Sequence, residues 1–250
     1  MTETSSFGDL APVTGGPVDS AVIDDLVVAN RILADQGVLD GYGHVSLRHP
    51  RAPDRYLLSR SLSPAIITAG DIMEFDLESQ PVDPRGRKMY LERFLHGEIY
   101  KARPDVNAIV HSHSPTVIPF GVSTVKLQPV CHMSAFLGGG VPNFEIRDAA
   151  GMTDLLIRNS ALGRALAQAL GTRDVCLMRG HGNVCVGSDI ITAVYRAVYT
   201  EVNAKLQAQA IALGGGVTYL AQGEWELIAN RGDKNFDRPW QMWKSRVMAQ

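Results

Sequence analysis

The run AIVHSHSP, residues 108–115, sets two imidazoles at the end of an apolar stretch. Ala108, Ile109 and Val110 read as a short buried strand. Side chains alternate faces along a strand, so His111 and His113 are expected on one face and Ser112 on the other. Two converging imidazoles can hold a metal or work on a substrate; a chance pair is the plain alternative. A third histidine, His181, lies in RGHGN (179–183), where Gly180 and Gly182 leave the backbone free to bend and aim the ring. Three neutral imidazoles from two strand ends suit a divalent transition metal with an open coordination position. Glu92 lies four residues before His96, near the start of a helical stretch, so both are expected on one helix side. A nearby carboxylate could be a fourth ligand or a proton carrier. Each piece has a plain reading too: Glu92 could pair with Arg93 or Lys88, and His96 reads best as a helix residue satisfied by a backbone group.

These residues need elements to position them. Residues 18–37 have apolar side chains at helical spacing, with Ser20 as a possible cap and Gly37 as the stop. Strands are expected at 45–48, 55–60 and 71–79, and a helix over 89–105 whose apolar face is Leu91, Phe94, Leu95 and Ile99. A helix over 159–171 follows, then two short strands in 174–188 around the Gly180–Gly182 turn, then a long helix from 189 to about 215. Trp240 and Trp243 sit three apart, as on one helix face, and either close a neighbouring subunit's pocket or join a core, with core favoured. Strands and helices are interspersed throughout. The pattern predicts one α/β domain over 18–250 with a central, mostly antiparallel or mixed sheet, preceded by a flexible lead-in over 1–17.

The totals are those of an ordinary globular protein: 250 residues, 45% hydrophobic, 20% charged, net charge -2. This composition gives no basic face for nucleic acid. No apolar run reaches the ~18 residues of a membrane span. The first twenty residues have neither the basic start nor the apolar core of a secretory signal. Cys131, Cys176 and Cys185 show no CxxC spacing, so a reduced, cytoplasmic setting is the default expectation.

The order of motifs is more specific than any one of them. ERFLHGEIYKARPDVNAIVHSHSP, followed downstream by LMRGHGNVCVG, resembles the class II aldolase/adducin family over most of the chain. The resemblance implies an α/β/α class II aldolase-like fold and a homotetramer with sites at subunit interfaces. It implies a divalent cation (Zn, Mn, Fe or Co) held by His111, His113 and His181, with Glu92 as catalytic acid/base. Adducins keep the fold and lose the metal histidines. All three are present here, which favours an enzyme over an adducin-like assembly protein.

The chain departs from the sugar-phosphate aldolases where they grip phosphate. Their Gly-Asn turn is Gly43-His44 here, and their serine pair before the glutamate is Tyr90-Leu91. Two hydroxyl donors have become a ring and an alkyl group, which argues against a phosphorylated sugar. GYGHVSLR, KMYLERFLH, QPVCHMSAFLG and NFDRPWQMW are similar to the family's decarboxylase branch. That branch acts on hydroxylated aromatic or pyridine dicarboxylates such as 3,4-dihydroxyphthalate. The resemblance thus implies an aromatic-acid carboxy-lyase, with an aldolase or dehydratase acting on a small hydroxy-carbonyl compound as the alternative. Tyr90 and Arg60 are candidate substrate contacts, Arg60 offering a planar fork to a carboxylate or else a surface charge. His44 is a candidate catalytic residue. His132 could position a second carboxylate, or simply pack.

Overall fold

Ile109 and Val110 are adjacent in sequence and belong to different cores. The alternation of strand side chains divides the whole molecule in this way. The computed structural model describes residues 12–231 and 235–249. In chain order the main elements are α1 (Ser20–Asp35), β1 (His44–Arg48), β2 (Arg55–Ser59), β3 (Ile72–Asp76), α2 (Arg93–Ala102), β4 (Ala108–Ser112), α3 (Ile118–Val122) and β5 (Asn143–Phe144). They continue with α4 (Ile146–Ala150), α5 (Ser160–Leu170), β6 (Val175–Met178), β7 (Gly182–Gly187), α6 (Ile190–Ala212), α7 (Gln222–Ala229) and α8 (Asp237–Met248).

The seven strands form one sheet in the order β3-β2-β1-β4-β7-β6-β5. Every pairing is antiparallel except β5 with β6. One face carries Val45, Leu57, Ala108, Val110 and Cys185 against α1, α6 and α8. The other carries Tyr56, Leu58, Ile109, Val184 and Val186 against α2 and α5. The α/β/α arrangement with a mostly antiparallel, mixed sheet is therefore as expected. Trp240 and Trp243 are buried in the first of these cores, and Lys244 ties α8 to Asp25 of α1 at 2.7 Å. Both tryptophans thus belong to this subunit's own core. Among the described residues no helix is long and apolar enough to cross a membrane.

Several boundaries differ from the sequence reading, each for a local reason. The first helix starts at Ser20 itself, with Asp19 at the cap position and no side-chain cap bond. The strand expected over 71–79 ends at Asp76, where the chain turns back through Ser79 at φ 61. The helix expected from residue 89 begins at Arg93. The Tyr90 hydroxyl donates to Leu62 O at 2.6 Å, and this tether holds residues before Glu92 out of the helix. Of the N-terminal lead-in, residues 1–11 lie outside the described residues. Thr14 and Gly15 both donate to Glu74 of β3, and Arg55 of β2 donates to Val13 O.

Candidate metal centre and active site

The register of β1, β4 and β7 builds the site. His44 pairs with His111, and His111 with Val184, so His44 and His111 lie side by side on the face that meets α2. β4 ends at Ser112, so His113 stands one residue beyond the strand rather than within it. Its ring nevertheless comes to 5.1 Å from that of His111 and 4.8 Å from that of His181, centroid to centroid. His181 is carried by the β6–β7 turn. Gly180 there has φ +68, a left-handed conformation that glycine adopts without strain. At Gly182 a Cβ would overlap the Ser112 carbonyl oxygen, so only glycine lets β7 approach β4 this closely.

Glu92 sits at the N-cap position of α2, over this histidine group. Its Oε1 accepts the Ile157 N–H at 3.0 Å. Its Oε2 is 3.4 Å from His111 Nε2 and 3.3 Å from His181 Nε2. His113 Nε2 and His181 Nε2 are 2.9 Å apart. One donor atom from each of the four residues thus falls within 4.8 Å of the others. Donor atoms bonded to a tetrahedral cation at about 2.0–2.1 Å lie about 3.3 Å from one another, a value inside the span of the separations here, from 2.9 Å up to at most 4.8 Å.

The outward nitrogens of the rings fix the inward ones. His181 Nδ1–H donates to Leu155 O at 2.9 Å, and His111 Nδ1–H donates to Asn183 O at 3.2 Å. Each bond selects the tautomer whose Nε2 carries a lone pair. Among the described residues His111 Nε2 is fully enclosed and has no hydrogen-bond partner, which is costly unless something positive binds there. These donors fit a divalent cation. Leu155 holds φ 68, unusual for a branched residue, with its carbonyl turned to His181.

Burial alone would raise the Glu92 carboxyl, but hydrogen bonding and charge from the His111 and His181 rings hold it well below the ordinary carboxylate range. Burial would lower His181, but Glu92 in turn raises it. The carboxylate and the two rings thus draw positive charge, proton or cation, into the space between them. Burial pushes His113 down to about 4, helped by His111 and His181. Burial also keeps His44 and His96 well below 6.5, so both are neutral.

The structure brings His44 and Tyr90 to the same place. Their rings are 4.4 Å apart, and His44 is 5.1 Å from His111. Arg60 lies just past β2, and continuing the β1–β2 register places it opposite His44. Its Nε donates to Asp71 Oδ1 at 2.5 Å, and its two terminal nitrogens make no hydrogen bond among the described residues. His132 lies elsewhere. It is exposed and lines a cavity of about 1040 Å3 with Tyr195, Tyr199, Trp225 and Phe236, a cavity that none of the three clustered histidines lines.

His96 differs from expectation. It bonds two side chains rather than a backbone group: Ser46 Oγ at 2.6 Å and His44 Nδ1 at 2.7 Å. Ser46 Oγ in turn meets Tyr100 OH at 2.8 Å. The one spacing that could have pointed to this network is that of His96 and Tyr100, four apart on α2. The carbonyls of Leu155 and Asn183 and the amide of Ile157 left no trace in residue type.

Residues 24–208 match the sequence pattern described as "Class II Aldolase and Adducin N-terminal domain". A relative in Talaromyces stipitatus, "Decarboxylase tropJ", is 38% identical, with 86% of this chain and 90% of that protein covered. A "3,4-dihydroxyphthalate decarboxylase" of Arthrobacter keyseri is 30% identical, covering 90% of this chain and 93% of that one. Among solved structures, an aldolase II superfamily protein from Pseudomonas syringae superposes with a TM-score of 0.78 at 23% identity, covering 93% of this chain and 94% of that one.

Proposed function

The chain belongs to the class II aldolase and adducin family, and from that premise we propose that it is a divalent-metal-dependent decarboxylase of a hydroxylated aromatic acid. The observation that carries the reading is the convergence of Glu92, His111, His113 and His181 on one small volume beside an aromatic wall. The names of the two relatives supply the reaction, decarboxylation, and one of them an aromatic dicarboxylate substrate.

His111, His113 and His181 would hold the cation through Nε2. A divalent ion bound there supplies a Lewis acid for the substrate oxygen on which charge collects. Tyr90 and His44 give the flat substrate a surface to lie against. The free fork of Arg60 suits a carboxylate that is retained. Glu92, ionised at rest, takes the proton of the ring hydroxyl next to the departing carboxylate. Glu92 delivers that proton to the ring carbon bearing the carboxylate, which turns the ring into a β-keto acid; the ring–carboxylate bond then breaks, CO2 leaves, and its electron pair returns through the ring to the oxygen, restoring the aromatic phenolate. Water restores the hydroxyl proton. Anchoring Oε1 on the Ile157 amide keeps Oε2 in place through both transfers.

Exposed Tyr42, whose ring is 6.1 Å from that of His113, and exposed Leu91 leave apolar surface beside the site. A neighbouring subunit of a tetramer would cover it. Incubating the metal-loaded protein with a panel of ortho-hydroxy aromatic mono- and dicarboxylates, and measuring released CO2, tests the function. Release from at least one acid supports it. Cleavage of an aldol donor with every aromatic acid untouched would establish the aldolase alternative instead.

A further inference from the structure

One short segment holds two members of the candidate site at once. Leu155 O accepts His181 Nδ1–H at 2.9 Å, and Ile157 N–H donates to Glu92 Oε1 at 3.0 Å. These two groups belong to successive planar peptides joined at the Leu156 Cα, so only the two soft torsions of Leu156 separate them. The segment thus bridges from outside the 3.3 Å gap between Glu92 Oε2 and His181 Nε2. Its anchoring is uneven. Ile157 is fully buried in the core shared with α2 and α5, whereas Gly151, Met152, Thr153 and Asp154 are exposed.

Between these ends the backbone makes a left-handed bend at Leu155, φ 68, a conformation that side chains disfavour and β-branched ones most of all. Polar side chains close the bend. Leu155 N–H donates to Thr153 Oγ1 at 3.0 Å and Leu156 N–H to Asp154 Oδ1 at 3.2 Å. Arg158 Nε donates to Asp154 Oδ2 at 2.5 Å. The peptide between Leu155 and Leu156 is therefore held twice, its carbonyl by His181 and its N–H by Asp154. Asp154 and Arg158 are both half exposed, so their ion pair adds little by itself. What Asp154 supplies is the acceptor that fixes the orientation of this peptide.

We propose that residues 154–157 form a two-ended clamp that sets the spacing between Glu92 and His181, with Leu155 and Asp154 as its positioning residues. Leu155 acts through its backbone conformation, which aims one peptide at His181 and delivers the next to Glu92. Asp154 acts through the Leu156 amide. The proposal rests on the reading of this group as a cation site with Glu92 as its proton carrier, and not on which acid is the substrate.

The test compares Leu155→Gly with Leu155→Val in the full chain. Glycine takes a positive φ without strain and keeps the carbonyl, whereas valine resists that conformation. Zinc affinity, by competition against a chelating dye, should stay within about threefold of wild type in the glycine variant. It should fall roughly tenfold or more in the valine variant, the size expected for a lost outer-shell partner. The Leu155 side chain also lies beside Gly180. Were packing its role, glycine, which removes the whole side chain, would be the worse variant. That order, or equal affinities in the two, would overturn the proposal. The second readout is hydrogen exchange of the Ile157 amide in metal-free protein labelled with 15N-isoleucine, assigned by the signal lost in Ile157→Val. Exchange should be slow in wild type and in Leu155→Gly, and roughly tenfold or more faster in Leu155→Val. An unprotected Ile157 amide in wild type would overturn the proposal. Asp154→Asn keeps the acceptor and should bind zinc like wild type, while Asp154→Ala should bind about threefold or more weakly; equal losses would assign the effect to charge through space and remove Asp154 from the clamp. Should Leu155→Val fail to fold, the Asp154 pair and the wild-type amide still decide. A wild-type protein that takes up no zinc would remove the cation reading, and the Ile157 amide, measured without metal, would then decide on the clamp.

Discussion

His113 and His181 meet through their Nε2 atoms, 2.9 Å apart, although they are 68 residues apart in the chain. Leu155 O holds the His181 proton on Nδ1, so His181 offers a lone pair to whatever lies between the two rings. Either of these histidines changed to alanine should weaken divalent-metal affinity by more than ~100-fold. Loss of an outer-shell partner already costs about 10–100-fold. Competition titration against a chelating dye measures this, and a change under threefold would argue against their role.

Glu92→Gln keeps an oxygen for the Ile157 amide and removes the charge. The three histidines should still take up metal. CO2 release should fall by about 100-fold or more, the usual range for a lost proton carrier. Single-turnover assays on protein with its metal content verified separate the two effects. Full activity in this variant would rule out the assigned proton transfers.

Gly182→Ala pushes a methyl group into the Ser112 carbonyl, between the strand that carries His111 and the turn that carries His181. The β4–β7 pairing must shift to accept it. Both unfolding temperature and metal affinity should drop together. A variant with wild-type values of both would show that the close approach is not needed.

Trp243→Ala should act on stability alone. The side chain is buried in the core beneath α1 and α6, and truncating such a residue costs about 3–5 kcal/mol. Denaturant unfolding should show this loss while metal affinity of the folded fraction stays unchanged. Loss of metal binding by folded protein would instead connect α8 to the site.

Much of this was legible in the sequence because the physics is local. The His111 strand, the glycine-flanked His181 turn and the α6 periodicity each follow from a few neighbouring residues. So did burial of Trp240 and Trp243, which their helical spacing suggested. What sequence could not supply was long-range and carried by backbone or by tethering. Tyr90 is drawn out of the helix by a carbonyl 28 residues earlier in the chain. His96 finds Ser46, 50 residues before it, and no spacing rule points from one to the other. The tautomers of His111 and His181 depend on carbonyls whose side chains carry no signal. Arg60 found an acid partner, Asp71, to which no spacing rule pointed.

The central claim is that three imidazoles and one carboxylate form a cation site. Elemental analysis of protein purified under metal-replete conditions, alongside His111→Ala prepared identically, tests it most directly. The account predicts close to one divalent ion per chain in the first and a small fraction of one in the second. Metal-free wild-type protein, or equal occupancy in both, would contradict it.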